Sequence, residues 1–415
     1  MVANTGTGAP APTRPRHPHR RQHHRQHHGQ HRRRLAGVTL AVAAVALAST
    51  ACASRETSRG VADGDLAIGV GVPLSGPYAR AGRETVNAVK IAVDEINQAG
   101  GIDGRKLKVI EGDDQGEPQT GQSVAQKLCD DDSVVAVIGH YNSGVTIPAS
   151  DIYRRCGLAQ VSPLSSNPEV TTRGLENIFR IGARDDYMGP ALATYLAAQT
   201  DLTKIGTIDD QSSYGVGLVD QFTGKAEAAG LDIVKSAAIK AGDKDFRAVL
   251  GSFPDETQVI YFGGYPADAA LLAQQAREVG LDVLLAGGDG LYDPDLLKGG
   301  DAVEGTLLTA SAGNPTADAQ AFLDAYRASY GQPSGYGLLE YNAARLVLQA
   351  LGDVDDLSRE AVVDAISAVS YQPVEGGAPI EFDDQGDNEN AQVHIFTVKD
   401  GSFDEVAVLN PDDFR

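Results

Sequence analysis

The sequence predicts an α/β protein of two similar lobes, each a parallel-type sheet with helices on both faces. Three observations lead there. Short apolar runs alternate with amphipathic stretches of about 10–15 residues, the grammar of strand–helix–strand units. That alternation begins at Leu66 and restarts after Asp185. The 364 residues from Cys52 onward also exceed the roughly 250–300 at which a single core stops growing.

In the first series, Leu66–Leu74 (LAIGVGVPL) is an apolar strand closed by the turn residues Ser75-Gly76-Pro77. Glu84 to Gln98 is helical, because Val86, Val89, Val93 and Ile96 recur at spacings of three and four and share one face. Gly100 and Gly101 stop that helix, and Lys106–Glu111 is the next strand. Helix 118–129, strand 134–138, helix 145–155 and strand 158–161 follow. In the second series Lys204–Ile208, Val259–Phe262 and Val283–Ala286 are strands, while Gly217–Ala229 and Ala267–Val279 are helices. Pro315–Tyr330, Leu338–Leu351 and Ser358–Ala368 are late helices without strands of their own, so they return to cover the first lobe. Strand-like Ile380–Phe382, Val393–Val398 and Glu405–Val408 complete the second. The expected organisation is 65–184 with 312–371 in the first lobe and 185–311 with 372–415 in the second.

The formal charge of -21, from 35 basic and 56 acidic residues, sums two unlike parts. Residues 1–51 hold eight arginines, seven of the nine histidines and no acid. The remainder sets 27 basic groups against 56 acidic ones, a charge of -29. Such a surface is repelled by phosphate backbones, which excludes sequence-independent nucleic-acid binding. Arg32-Arg33-Arg34 precede an uncharged run, Leu35–Ser54. Residues 1–51 therefore read as a secretory signal peptide, ahead of a metal-binding tract or a membrane-spanning anchor. Ser49-Thr50-Ala51-Cys52 resembles a bacterial lipobox, which implies lipidation of Cys52; Ser49 stands where Leu is usual, and cleavage without lipid is the alternative. Residues 52–64 are mostly small and polar, as suits a tether. Cys129 and Cys156 then remain as an even pair in an oxidising compartment, either bonded or as two separate buried thiols.

In open α/β sheets, ligands bind beyond the carboxyl ends of the strands. Those positions carry Ser75-Gly76-Pro77, Asp113-Asp114, Tyr141-Asn142-Ser143 and Leu164-Ser165-Ser166 in the first lobe. In the second they carry Asp209-Asp210 to Tyr214, Gly263-Gly264-Tyr265 and Gly287-Gly288-Asp289-Gly290. Hydroxyls, small residues, tyrosines and acids recur, and basic side chains are missing. Gly69-Val70-Gly71 lacks the third glycine of a dinucleotide fingerprint, and no GxxxxGK[ST], GxSxG, HExxH or CxxC occurs. His140 and His394, the two histidines beyond the leader, fall in different lobes, and His140 reads as a structural hydrogen-bonding residue. Asp383 to Asn388 lacks the alternating ligands of a calcium loop and reads as a solvated hairpin turn. No enzyme activity, metal or cofactor is expected.

Ser75-Gly76-Pro77, IGHYNSGVTIPASDIY (Ile138–Tyr153), VSPLSSNPEVTTRG (Val161–Gly174) and YFGGYPADAA (Tyr261–Ala270) resemble the periplasmic leucine/isoleucine/valine-binding proteins. These are the type I extracellular solute-binding components of branched-chain amino-acid ABC transporters. The resemblance covers about residues 65–410, with order and spacing matching across both lobes. It implies two lobes joined by three crossing segments, closing over one ligand, with a membrane permease as partner and a place outside the cytoplasmic membrane. Ser143 and Ser166 would hold the ligand carboxylate, both hydroxyls preceding predicted helices whose first N–H groups favour an anion. The Leu164 carbonyl, the Ser166 hydroxyl and Asp289 would receive the ammonium group, Asp289 standing where the family usually carries Glu. Tyr214 and Tyr265 would close over the ligand, and Tyr141 and Tyr336 would border its side chain. Ala81 replaces an aromatic residue of some members, and Asn142 adds an amide beside Ser143. The implied ligand is a neutral α-amino acid, branched aliphatic first. An amide, urea or short peptide, and a sensory role for the same fold, are the other readings.

Overall fold

The computed structural model describes residues 64–414; the expected signal peptide, Cys52 and all but the last residue of the tether lie outside them. The first sheet contains β1 (Leu66–Val72), β2 (Leu107–Asp113), β3 (Val134–Gly139), β4 (Ala159–Ser162) and β5 (Ile178–Arg180). Its order is β2-β1-β3-β4-β5, and every pairing is parallel. All residues of β1 and β3 are buried, as expected of parallel strands covered on both faces. The helices α1 (Ala79–Gln98), α2 (Pro118–Asp130) and α3 (Ser143–Cys156) connect them.

The second lobe opens with α4 (Asp185–Gln199), then β6 (Lys204–Asp209), α5 (Ser213–Ala228), β7 (Asp232–Ala238) and the single-turn α6 (Arg247–Leu250). It continues through β8 (Val259–Gly263), α7 (Pro266–Glu278), β9 (Leu284–Gly287) and β10 (Leu307–Ala310). Next come α8 (Gln320–Tyr330), α9 (Gly337–Gly352) and α10 (Arg359–Ser367), and finally β11 (Val393–Lys399) and β12 (Ser402–Leu409). The second sheet runs β12-β11-β10-β9-β8-β6-β7. Its parallel part is extended by an antiparallel hairpin, since β11 runs against both β10 and β12. Asp400 and Gly401 make that turn with φ of 51° and 71°, the positive values a tight hairpin needs.

The late helices pack on the first lobe. The α9 helix packs along α1, and α10 reaches β3 and β4. Arg359, the first residue of α10, donates to the carbonyls of Cys129, Cys156 and Asp131 at 3.1, 3.2 and 2.9 Å. A cation there satisfies carbonyls that α2 and α3 leave open at their ends. Beside it, Cys129 and Cys156 form a disulfide that ties the two helix ends together.

Several elements depart from the sequence reading. The short β5 carries an arginine, and β7 is a half-exposed edge strand, so neither shows an apolar run. The α4 helix contains Gly189-Pro190 and is apolar around most of its circumference, which hides its period. Single-turn α6 is too short to register, and β10 follows β9 with only 3-10 turns between them, so no strand–helix alternation marks it. Ile380 and Phe382 make only isolated bridges, to Tyr371 and Asn388, and do not join the second sheet. The expected second-lobe segment 372–415 is corrected in the same way. Arg180 of β5 donates its N–H to Gly386 O at 2.8 Å, and Asn388 N–H donates to Arg180 O at 3.0 Å. Residues 386–388 thus edge the first sheet, and the chain crosses over only between Asn388 and β11. The other crossings lie between β5 and α4 and between β10 and α8. The acidic loop is solvated only at its tip, Asp384 and Gln385, whereas Asp387 is buried and paired with Arg180 and Arg184.

Candidate functional site

At the end of β3, His140 is fully buried, with Nδ1 2.6 Å from Asp114 Oδ2 and Nε2 3.1 Å from the Tyr153 hydroxyl. Its carbonyl accepts from the Ser165 hydroxyl at 3.0 Å. His140 therefore fixes the loops that follow β3 and β4 relative to one another. Asn142 takes the N-cap position of α3 with extended backbone, which places Ser143 as the first helical residue. The Ser143 hydroxyl accepts from Asn167 N–H at 3.3 Å.

Ser166 lies on the loop after β4. The helix expected behind it is only a one-turn 3-10 segment, Pro168–Val170, capped by the Asn167 side chain. No extended helix terminus stands behind the Ser166 hydroxyl. Arg180 holds this loop instead, its Nη1 donating to Ser165 O at 3.1 Å and Asn167 O at 2.7 Å.

From the second lobe, Tyr214 sits in the first turn of α5, and its hydroxyl accepts from Gly290 N–H at 2.8 Å. A side chain at Gly290 would put its Cβ 2.6 Å from Gly264 O and 2.9 Å from the Tyr214 hydroxyl, so only glycine permits this approach. Tyr265 caps α7, and its hydroxyl accepts from Asn142 Nδ2 at 2.7 Å, across the gap between the lobes. Tyr336, ahead of α9, donates its hydroxyl to the Asp289 carbonyl at 3.1 Å. Tyr78 of the first lobe meets Tyr265 at a ring-centroid distance of 4.5 Å.

Tyr141, Ser143, Leu164, Tyr214, Tyr265, Asp289 and Tyr336 line one cavity together with Gly290. It measures about 280 Å³ counted out to its mouth. Asn142 and Ser166 are not among its walls: Asn142 reaches it through Tyr265, and Ser166 is buried behind. Burial pushes the Asp289 carboxyl up to about 6, against the Tyr214 hydroxyl and the Gly290 N–H, which favour the ionised form. Among the described residues Asp289 Oδ1 has no hydrogen-bond partner.

The structure adds Asp185, which the sequence reading missed. It is fully buried at the start of α4, and its N–H donates to Ser166 O at 2.9 Å. Burial, then the neighbouring Asp289, push its carboxyl well above the usual range. The Ser166 hydroxyl and the Asp185 carboxyl face one another without closing a hydrogen bond. An acid directly after an extended crossing segment is the one signal the sequence carried for it. Among the described residues, no group of three or more His, Cys, Asp or Glu side chains is placed to hold a metal.

Two α/β lobes, crossed three times by the chain and facing one another over a polar cavity, define the type I periplasmic binding fold. The chain belongs to the periplasmic binding protein family, whose profile matches residues 65–402, and within it to the branched-chain amino-acid-binding proteins. A Leu/Ile/Val-binding protein homolog 1 from Brucella suis is 34% identical over 334 residues, 79% of this chain and 89% of the relative. The crystal structure of a leucine binding protein, LivK, from Thermotoga maritima superposes with a TM-score of 0.76 at 30% identity, covering 84% of this chain and 99% of that one. LivJ of Streptococcus pneumoniae, a branched-chain amino acid transporter substrate binding protein solved with isoleucine, gives 0.75 at 27% identity, covering 83% and 99%.

Proposed function

We propose that this protein is the extracellular substrate-binding lipoprotein of an ABC importer, capturing an α-amino acid between its lobes and delivering it to a membrane permease. The observation that carries the reading is the convergence of Ser143, Asp289 and four tyrosines, from both lobes, on one cavity. The Ser143 hydroxyl and the unpaired N–H groups that open α3 suit an α-carboxylate. Asp289 and the Leu164 carbonyl suit the ammonium group, and Tyr214 and Tyr265 supply flat apolar area from the second lobe. Capture is closure: the ligand docks on the first lobe, and contacts available only when both lobes touch it favour the closed form. Leucine, isoleucine and valine, for which the relatives are named, are the first ligands to try.

A small amide or urea is the second reading, favoured by the unpartnered Asp289 Oδ1, which would accept an amide N–H as well as an ammonium N–H. Calorimetric titration against the twenty amino acids, small amides and urea decides between them. Binding of no α-amino acid would overturn the first reading. Cys52 would carry the lipid that holds the protein at the outer face of the cytoplasmic membrane. The mass of the mature N-terminal peptide tests that assignment.

A further inference from the structure

Beside the cavity at Ser143 and Asp289 lies a second pocket that shares the walls Tyr141, Leu164, Asp289, Gly290 and Tyr336. Its other walls are Ala81, Glu84, Asp293, Ser334 and Glu340. If the first space takes the α-carboxylate and ammonium groups, this one receives the side chain.

Its chemistry is not that of an aliphatic pocket. Glu340, in the first turn of α9, is buried. Its Oε1 accepts from the Thr85 hydroxyl at 2.6 Å, while Oε2 has no partner among the described residues. Facing it from α1, Glu84 accepts from Ser334 N–H at 2.5 Å and from Arg80 Nη1 at 3.3 Å. Arg80 is also paired with Asp293 and lies 3.7 Å from Asp295. The nearby cation is thus shared among other acids. Burial first, and then Glu84, push the Glu340 carboxyl well above its ordinary range. A branched aliphatic side chain would leave Oε2 buried and unpaired in either protonation state, which is unfavourable. An N–H group placed there would satisfy it, and a methyl at Ala81 leaves that corner open.

We propose that this second pocket, through Glu340, selects an amino acid whose side chain ends in nitrogen-borne N–H donors over one with an aliphatic side chain. The proposal rests on the amino-acid reading above. Carboxamide, guanidinium and ammonium ends share this chemistry, and the test separates them. Purified protein is titrated calorimetrically with leucine, isoleucine and valine, and with glutamine, asparagine, arginine and lysine. At least one nitrogen-bearing ligand is expected to bind tenfold or more tighter than leucine. Glu340→Leu, with its unfolding temperature checked, is expected to erase or invert that preference. Glu340→Gln keeps the preference for a carboxamide and loses it for a cation. Leucine, isoleucine or valine binding as tightly as every nitrogen-bearing ligand overturns the proposal and leaves amino-acid capture standing. A preference that survives Glu340→Leu overturns the assignment to Glu340. If no α-amino acid binds, the underlying reading falls and takes this one with it.

Discussion

Arg180 and Asp387, 207 positions apart, form a buried ion pair in which Nε and Nη2 both donate to Asp387 Oδ1, at 2.9 and 2.6 Å. The same guanidinium holds Ser165 O and Asn167 O, so the pair braces the loop that carries Ser166. Asp387 Oδ2 also accepts from Thr171 Oγ1 and Arg184 Nη1, both at 2.9 Å. One edge of the candidate site therefore hangs on a residue just ahead of the third crossing. Removing one partner of such a pair leaves a buried charge uncompensated, at about 3–5 kcal/mol. Asp387→Ala is expected to lower stability by that order, read from urea unfolding curves, and to weaken ligand binding as the loop loosens.

Asp289 is expected to make binding depend on pH. Its carboxyl titrates at about 6 against an ordinary 3.8, because burial disfavours the charge. The folded protein therefore keeps this proton where the unfolded chain has released it, and this group's contribution to stability falls as pH rises from about 4 to 6. Ammonium binding works in the opposite direction, since it needs the carboxylate. Affinity for an α-amino acid is expected to be flat above pH 7 and to fall as pH drops through 6, approaching tenfold per unit. Asp289→Asn is expected to lose at least tenfold in affinity at pH 7.5 and to flatten the profile. That control matters because Asp210 is also pushed up to about 6 by burial. Calorimetry across pH 5 to 8 reads both effects.

The Cys129–Cys156 disulfide stabilises without reaching the ligand. Its sulfurs join the C-terminal ends of α2 and α3, whereas Ser143 opens α3 at the other end. For a sequence separation of 27, the chain-entropy account assigns about 3–4 kcal/mol. Reduction, or a Cys129→Ser/Cys156→Ser double substitution, is expected to lower the unfolding temperature clearly while changing affinity less than twofold.

Asn142 and Tyr265 share one of the buried hydrogen bonds that join the lobes. Deleting it costs the closed form about 1 kcal/mol. Asn142→Ala and Tyr265→Phe are each expected to raise the ligand dissociation rate about fivefold in stopped-flow measurements. The double substitution should cost less than the two combined, as expected for partners in one contact.

How much was legible in the sequence follows physical lines. Strands β1, β3 and β8 are continuous apolar runs because parallel strands are buried on both faces, and α1 shows its period because one face meets water. Strand-end positions such as Ser143, Tyr214, Tyr265 and Asp289 could be read because topology puts strand ends at one rim. Arg180, Asp387, Asp185 and Glu340 could not. Each is charged and buried, so composition places it in solvent, and the partners that make burial tolerable lie far along the chain.

The sequence alone determined the two α/β series, their order, the acidic character of the chain beyond the leader, and a rim of hydroxyls, tyrosines and one acid. Tertiary structure decided which lobe the segment 372–388 serves, that Arg180 and Asp387 brace the Ser166 loop, and that Glu84 and Glu340 face one pocket. The reason is locality. Periodicity and turn chemistry act between neighbours in the chain, whereas a buried charge is settled by whichever distant group the packed lobes bring within hydrogen-bonding reach.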